Sequence, residues 1–265
     1  MTQAGIQFAV FTKPWKMPVP ELAEHVRRLG FDGIEFPVRP GYQVEPENIA
    51  RDLPAAVRTF ADHGVKVFSV AGNTDEATIS ACGAAGVPVI RAMARVAGPD
   101  YVATVGRLQE EYAALVPALE AHGVTIGIQN HCGRNVPDAL GLIDLLRPFG
   151  RKHFVAVWDA AHEALQGGDM DHAIDIVWPK LGMVNLKNAI WQRTNGPEAE
   201  FAEWKQYWTS GRQGLCSWPK VVAELKRRSY AGVVCLTAEY SAEGAVNRLI
   251  AEDIALAKSL FAAEA

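Results

Sequence analysis

A local pattern recurs along this chain and restricts the folds that it can adopt. An amphipathic helical stretch ends at a glycine, and a short apolar, β-branched run follows. The clearest copies are RRLG-FDGIEF, ADHG-VKVFSV, GAAG-VPVIRA and EAHG-VTIGIQ, with the glycines Gly30, Gly64, Gly86 and Gly123. Weaker copies place Gly150, Gly182 and Gly232 at the same point. Glycine there is typical of a left-handed helix C-cap, with a strand beginning a few residues later.

Together with the opening run GIQFAVF, the pattern predicts eight strands that alternate with helices. Such strands pair in parallel, because each helix returns the chain to the same edge of the sheet. Eight units in 265 residues fit a single (β/α)8 TIM barrel, one domain over residues 1–265. A doubly wound open sheet is the structural alternative, but it usually has fewer strands. No G-x-G-x-x-G motif follows the first strand, which disfavours dinucleotide binding.

One stretch departs from the repeat, at about residues 189–217 after the seventh strand. It is rich in Trp, Gly and polar residues, and the sequence predicts an irregular insertion at the carboxyl end of the barrel. Barrel enzymes build lids and substrate walls there, and Arg193 is a candidate substrate-binding residue. A packed surface insertion or an oligomer contact is an equal alternative, since Trp191, Trp204 and Trp208 suit either.

Net charge and cysteine content restrict the kinds of partner and site that the sequence predicts. A formal net charge of −4 disfavours a nucleic-acid partner and leaves a small molecule, neutral or anionic. The four cysteines show no C-x-x-C spacing, which disfavours a disulfide framework and a cysteine-bound zinc site. The sequence shows neither a signal-peptide pattern nor an apolar run long enough for a membrane span. We therefore expect a cytoplasmic protein without membrane contact, and a homo-oligomer is an open option.

Polar side chains stand at the carboxyl ends of predicted apolar strands. These residues are Glu35, Gln129, His131, Asp159, His162, Asn185, Lys187 and Glu239. A buried carboxylate is costly unless it is paired or metal-bound, so Asp159 and Glu239 require a cation or hydrogen-bond donors. Two carboxylates with amide oxygens suit Mg²⁺ or Mn²⁺ better than zinc. Lys187 offers a way to balance the charge without a metal.

Structural roles are also open for several of these residues. Glu35 is as suited to a salt bridge with Arg39 as to a substrate contact. Asp159 precedes the helical stretch AAHEAL and suits a helix N-cap. His131 and His162 are compatible with structural as well as ligand-binding roles.

These motifs resemble those of the xylose isomerase-like sugar isomerase and epimerase barrels over nearly the whole chain. The resemblance lies in LGFDGIEF, GVTIGIQNH, VWDAAH, MVNLKN and GRQGLCSWPKVVAELKRRSYAGVVCLTAEY. In that family a divalent ion is typically held by Glu, Asp, His and Glu, and the two glutamates often act as an acid/base pair. The resemblance implies metal-ligand positions at Gln129, Asp159, Asn185 and Glu239. Two of these four are amides, so metal affinity is expected to be weakened, and Gln129 cannot take a proton.

The leading hypothesis is a sugar or keto-sugar isomerase or epimerase of carbohydrate metabolism, with a lyase or dehydratase as a variant. Glu239 would remove a proton beside a carbonyl, and Lys187 or a weakly held Mg²⁺ or Mn²⁺ would stabilise the enediolate. His131, His162 and Glu35 would bind the substrate, and His162 is also a candidate catalytic residue beside Glu239 and Lys187. The second hypothesis is a non-catalytic sugar-binding or partner-subunit barrel with a degraded metal site. Schiff-base chemistry at Lys187 is the third.

Overall fold

The computed structural model of the chain describes residues 5–263, so the ends of the predicted domain, residues 1–4 and 264–265, lie outside the described residues. Its strands are β1 (Ile6–Phe11), β2 (Gly33–Pro37), β3 (Lys66–Ala71), β4 (Val89–Met93), β5 (Thr125–Gln129), β6 (Phe154–Asp159), β7 (Leu181–Asn185), β8 (Asn188–Arg193), β9 (Trp204–Thr209) and β10 (Gly232–Leu236). Eight of them close a parallel barrel in the order β1-β10-β7-β6-β5-β4-β3-β2. This confirms the predicted (β/α)8 barrel.

Helices surround the barrel and cover its outer face. They are α1 (Val19–Leu29), α2 (Ile49–Asp62), α3 (Glu76–Ala85), α4 (Tyr101–His122), α5 (Ala139–Leu146), α6 (Ala160–Leu165), α7 (Met170–Val177), α8 (Trp218–Arg227) and α9 (Val246–Ala262). In α1, Leu22 and Val26 are fully buried, because positions four apart share one face of a helix. Across the described part of the chain, each helix is too short or too polar to traverse a lipid bilayer.

The four clear copies of the repeat end as predicted. Gly30, Gly86 and Gly123 cap their helices with φ of 84°, 73° and 63°, and Gly64 follows α2 with φ of 72°. A positive φ strains any residue with a Cβ, so glycine is favoured at these turns.

The three weaker copies do not end in this way. Gly150, Gly182 and Gly232 have no positive φ, and Ser229 makes the left-handed turn after α8 with φ of 55°. Gly182 lies inside β7, where an added Cβ would be 2.5 Å from the Val155 side chain. Close packing between neighbouring strands, rather than a helix cap, therefore requires that glycine.

The inside of the barrel is apolar along its middle and becomes polar at the carboxyl end. Val157 and Met183 belong to the small cluster that fills the interior. Side chains alternate along a strand, so Asp159 and Asn185, two residues further on, continue the same inward rows. In the register of β6 and β7, Asp159 and Asn185 lie opposite each other. The alternation of side chains along the strands thus places a set of polar groups at the carboxyl end of the barrel.

The insertion after β7 is more ordered than predicted. Within it, β8 and β9 form an antiparallel hairpin, in register from Asn188 opposite Thr209 to Arg193 opposite Trp204. Backbone hydrogen bonds outweigh the polar composition on which the prediction of an irregular segment relied. Ser241, beyond β10, ties the hairpin to the barrel, because its Oγ accepts from the Trp208 N–H at 2.9 Å and its own N–H donates to the Trp208 carbonyl at 3.0 Å.

The glycine cap after α3 gives a test of this fold. We expect Gly86→Ala to lower the free energy of unfolding by about 1 kcal/mol, because a Cβ is strained at positive φ while the space around it is open. The matched control is Gly106→Ala inside α4, which also faces open space but has no positive φ. It should raise stability by about 0.5–1 kcal/mol. Urea unfolding of both variants checks this, and equal effects would contradict it.

Candidate functional site

A buried ion pair spans the inside of the barrel beneath the site. Glu35 of β2 is fully buried, and its Oε1 accepts from Arg91 Nε of β4 at 3.0 Å. Its Oε2 accepts from Ser69 Oγ of β3 at 3.1 Å. The Arg91 guanidinium also lies over the Phe11 ring, 4.8 Å from its centroid. Glu35 therefore pairs with Arg91, not with Arg39, and both of its carboxylate oxygens are engaged by protein donors.

Asp159 is fully buried at the end of β6 and caps the helix that follows. Its Oδ1 accepts from the N–H groups of Ala161 at 3.0 Å and His162 at 3.1 Å, as the helix-cap interpretation predicted. Its Oδ2 accepts from Gln129 Nε2 of β5 at 2.8 Å. Burial raises the Asp159 pKa to about 6, and the nearby Lys187 ammonium together with these hydrogen bonds limits the rise.

A second layer of hydrogen bonds fixes the ends of β5 and β6 against each other. The side chain of Asn130 accepts from the Asp159 N–H at 2.7 Å and donates to the Asp159 carbonyl at 3.2 Å. Glu163 of α6 accepts from Trp158 Nε1 at 3.1 Å and from the Ala139 N–H at 3.0 Å. Burial raises the Glu163 pKa to about 7. These contacts hold Asp159 rigidly in place.

Glu239 follows β10 and lies between two lysines. Its Oε2 accepts from Lys187 Nζ at 2.7 Å, and its Oε1 accepts from Lys13 Nζ. Lys187 Nζ is also 3.6 Å from the centroid of the Trp208 ring, which β9 provides. Burial on its own would raise the Glu239 pKa, but the two ammonium groups outweigh it and hold that pKa well below its ordinary value. Glu239 is therefore an ionised carboxylate and a weak base.

The same ion pair bears on the Schiff-base hypothesis. Attack on a carbonyl requires the lone pair of the lysine nitrogen. The Lys187 nitrogen is instead engaged by Glu239 Oε2 at 2.7 Å and by the face of the Trp208 ring. This geometry disfavours Schiff-base chemistry at Lys187.

Two histidines face each other beside this group, with ring centroids 3.9 Å apart. His131 Nδ1 lies 2.8 Å from the Cys132 carbonyl, which assigns the proton to Nδ1 and leaves a lone pair on Nε2. His162 Nδ1 accepts from the Cys132 N–H at 3.2 Å, so its proton is on Nε2. Burial lowers the pKa of both histidines, and Lys187 lowers that of His162 further. Both rings are therefore neutral near pH 7.

These groups surround a cavity of about 70 Å³, which continues the polar end of the barrel. Its lining includes the neutral Gln129, His131 and His162 and the charged Lys13, Arg91 and Glu239. A larger cleft of about 720 Å³ shares Lys13 and Glu239 with it and opens the site outward. The cavity thus combines a free imidazole nitrogen, a neutral N–H donor and fixed cations.

Lys13 and Arg91 were absent from the residues selected by sequence. Lys13 follows β1 by two residues, and Arg91 interrupts the apolar strand VIRAM. The rule that selected the other strand-end residues would have found both. Trp208 was assigned to the insertion only, and nothing in its spacing indicates a contact with Lys187.

Two residues selected by sequence have other surroundings. Arg193 donates to Asn195 Oδ1 at 3.2 Å and to the Gly196 carbonyl at 2.8 Å, at the far end of the hairpin, and does not line the cavity. Asn185 is fully buried, and neither atom of its side-chain amide has a hydrogen-bond partner among residues 5–263. The structure thus brings Asn185, but not Arg193, to the polar end of the barrel.

The four residues that the resemblance implies as metal ligands do not fit a Mg²⁺ or Mn²⁺ centre as they are arranged. All four carboxylate oxygens of Asp159 and Glu239 accept hydrogen bonds from nitrogen donors of the protein. Gln129 turns its NH₂ group toward Asp159, and the Lys187 ammonium lies against Oε2 of Glu239. Of the oxygens on these four side chains, those without a partner among residues 5–263 are the neutral oxygens of Gln129 and Asn185. The lysines supply the positive charge that the carboxylates require.

A second group of metal-ligand residues lies in the same place. Ligand atoms of His131, Cys132 and His162 lie within 4.8 Å of one another. In the tautomer set by its hydrogen bond, however, His162 uses its lone pair on the Cys132 N–H and carries a proton on the other nitrogen. The pair of histidines therefore suits hydrogen bonding to a ligand better than chelation of an ion.

Residues 23–260 match the family model described as xylose isomerase-like TIM barrel. The chain belongs to this family. The match confirms the resemblance found in the sequence, although no curated protein matches the chain in sequence.

Solved structures of the family's fold superpose over nearly the whole chain. One is D-psicose 3-epimerase from Clostridium cellulolyticum H10, with a TM-score of 0.73, 12% identity and coverage of 96% of this chain and 99% of that one. Another is a xylose isomerase domain protein from Planctomyces limnophilus, with a TM-score of 0.69, 15% identity and coverage of 97% and 96%. A third is 3-keto-D-glucoside 4-epimerase from E. coli, with a TM-score of 0.69, 11% identity and coverage of 96% of this chain and 99% of that one. At these identities the likeness concerns the fold.

The ion pair inside the barrel gives a second test. We expect Arg91→Met to lower the free energy of unfolding by about 3–5 kcal/mol, because it leaves the buried Glu35 carboxylate without its cation. The control is Arg51→Met, which breaks the exposed pair with Asp52 and should change stability little. Chemical unfolding of both variants measures the difference. Similar losses in the two would show that Glu35 does not depend on Arg91.

Proposed function

We propose that this chain is an enzyme that transfers a proton at the carbon beside a carbonyl in a small, polyhydroxylated substrate. This makes it a sugar or keto-sugar isomerase or epimerase, with a lyase as a variant. The observation that carries the proposal is a neutral imidazole with a free Nε2, at His131, in one cavity with Lys13 and with Glu239, whose carboxylate also pairs with Lys187. Membership of the xylose isomerase-like family supports it.

His131 is the proposed base. Its lowered pKa keeps the ring neutral near pH 7, and its Nδ1–H is fixed on the Cys132 carbonyl, so Nε2 can take a proton. The sequence suggested Glu239 for this role. An ionised carboxylate whose pKa is held down by two lysines takes a proton poorly, which favours His131.

Charge develops on the carbonyl oxygen as the proton leaves. The ammonium group of Lys187 stabilises that oxyanion in a buried setting, where a fixed charge acts strongly, and the more exposed Lys13 adds to the effect. His162 presents its Nε2–H, which has no partner within the described chain, to a substrate oxygen. In an isomerisation, the proton on His131 returns to the neighbouring carbon while the hydroxyl of that carbon gives its proton to the oxyanion and becomes the new carbonyl. In an elimination, the proton on His131 protonates the leaving hydroxyl, and the oxyanion reforms the carbonyl as the C–O bond breaks.

The stereochemistry follows from the number of bases. Epimerisation through both faces of a carbon requires a second group that exchanges protons, and Gln129 cannot do so. A single base on one face suits a 1,2-proton transfer or a β-elimination. Among the reactions of the proposal, we therefore favour these two.

Exchange of substrate C–H for solvent deuterium, followed by NMR on a panel of ketoses and keto acids, tests the base. His131→Asn should slow exchange by about 10²–10⁴-fold, the usual contribution of a general base. The control is His172→Asn on the exposed face of α7, which should leave the rate unchanged.

Glu239→Gln separates the two assignments in the same assay. Loss of exchange in that variant, with exchange retained in His131→Asn, would return the role of base to Glu239. If no compound exchanges while sugars still bind, the alternative of a non-catalytic sugar-binding barrel replaces the enzyme.

The lysines predict that exchange does not depend on a divalent ion. Treatment with EDTA, and then addition of Mg²⁺ or Mn²⁺, should change the rate less than about twofold, because Lys187 and Lys13 already neutralise Glu239. Metal content before and after treatment is measured by mass spectrometry. A rate that falls with the metal content and recovers on addition would contradict the assignment of the oxyanion to the lysines.

A further inference from the structure

Arg39 is the cation of the site that no carboxylate neutralises. It follows β2, is half-buried, and lines the cavity together with Arg91 and His131. Its guanidinium carbon lies over the Phe11 ring, 5.5 Å from the centroid. Among residues 5–263, no carboxylate lies within salt-bridge distance of it and no acceptor takes a hydrogen bond from it. A guanidinium with five donors is thus left without an acceptor in a partly buried position.

The charges around the cavity do not balance. Among the described residues, three cations line it against one carboxylate, namely Lys13, Arg39 and Arg91 against Glu239. Glu35 is matched by Arg91, and Glu239 already has two lysines. The Asp159 oxygens are taken by an amide and by backbone N–H groups. The excess positive charge therefore rests at Arg39 and at the lysines of Glu239.

Glu239 and Glu35 attract Arg39 at longer range, but among residues 5–263 neither carboxylate lies within salt-bridge distance of it. The groove outside the cavity contains Asp75, but that carboxylate caps α3 by accepting from the Thr78 N–H at 2.8 Å. Burial disfavours the charged form of Arg39 and lowers its pKa, the like charge of Arg91 lowers it further, and Tyr42, Glu239 and Glu35 offset only part of this effect. A cation held against burial and repulsion indicates that its counter-charge comes from a ligand.

We propose that the substrate carries an anionic group, a carboxylate or a phosphate monoester, that binds to Arg39. The planar fork of a guanidinium donates two parallel hydrogen bonds to either group. Lys13, which is less buried than Lys187, adds a second positive charge near the opening of the cavity. The identity of the reacting carbon rests on the proposed function, whereas the anion site rests on Arg39 alone.

Calorimetric titration with three probes tests the site without turnover. D-gluconate carries a carboxylate, D-glucitol 6-phosphate carries a phosphate, and D-glucitol is neutral. We expect one anionic probe to bind at least about tenfold more tightly than the neutral one, and the tighter anion identifies the group. Arg39→Met should remove that advantage, and Arg39→Lys, which keeps the charge without the fork, should retain part of it.

The control is Arg58→Met on the exposed side of α2, which should bind all three probes as the parent does. Thermal unfolding of each variant shows whether it is folded. Equal binding of D-glucitol and both anions, or undiminished anion binding in a folded Arg39→Met, would overturn the proposal. Deuterium exchange and anion binding are also measured in His131→Asn. Loss of exchange with anion binding intact would show that the proposed function and this anion site can be tested independently.

Discussion

Three carboxylates at one end of the barrel, two of them fully buried and one partly buried, require compensation, and the form of the site follows from how each is compensated. Glu35 receives a guanidinium from across the barrel, and Asp159 receives a helix N-terminus and an amide. Glu239 receives two ammonium groups. Because these donors are covalently attached to the chain, the positive charge at Glu239 is present at any concentration of free metal ions.

The hairpin is part of this compensation and not only a cover. Trp208 places its ring against Lys187 and the edge of His162, and Ser241 binds the same strand to the end of β10. Asn188, where the hairpin begins, donates to the carbonyls of Gly211 and Cys216 at 3.0 and 2.7 Å. Both strands of the hairpin are thus held at its base, next to Trp208 and the lysine that its ring contacts.

Alternation along strands made the barrel and its inward polar rows predictable from sequence. The pairing between rows was not predictable, since it depends on register and on reach across the interior. Glu35 meets Arg91 two strands away, although Arg39 is only four residues away in sequence. The basicity of Glu239 was also beyond prediction, because it depends on Lys13, which is brought from the other end of the chain. The hairpin escaped prediction because its strands are short and partly exposed.

The amide at position 129 and the lysines form a consistent set. Gln129 donates to Asp159 at 2.8 Å, where a glutamate would place two carboxylates in contact. Like charges so close require a shared proton or a bound cation, and burial already raises the Asp159 pKa to about 6. With a glutamine at this position, Asp159 needs neither a shared proton nor a bound cation. At Glu239, the Lys187 ammonium already supplies the positive charge that the carboxylate requires. Amides at two positions where the family has ionisable ligands are therefore consistent with a site in which side chains supply the positive charge.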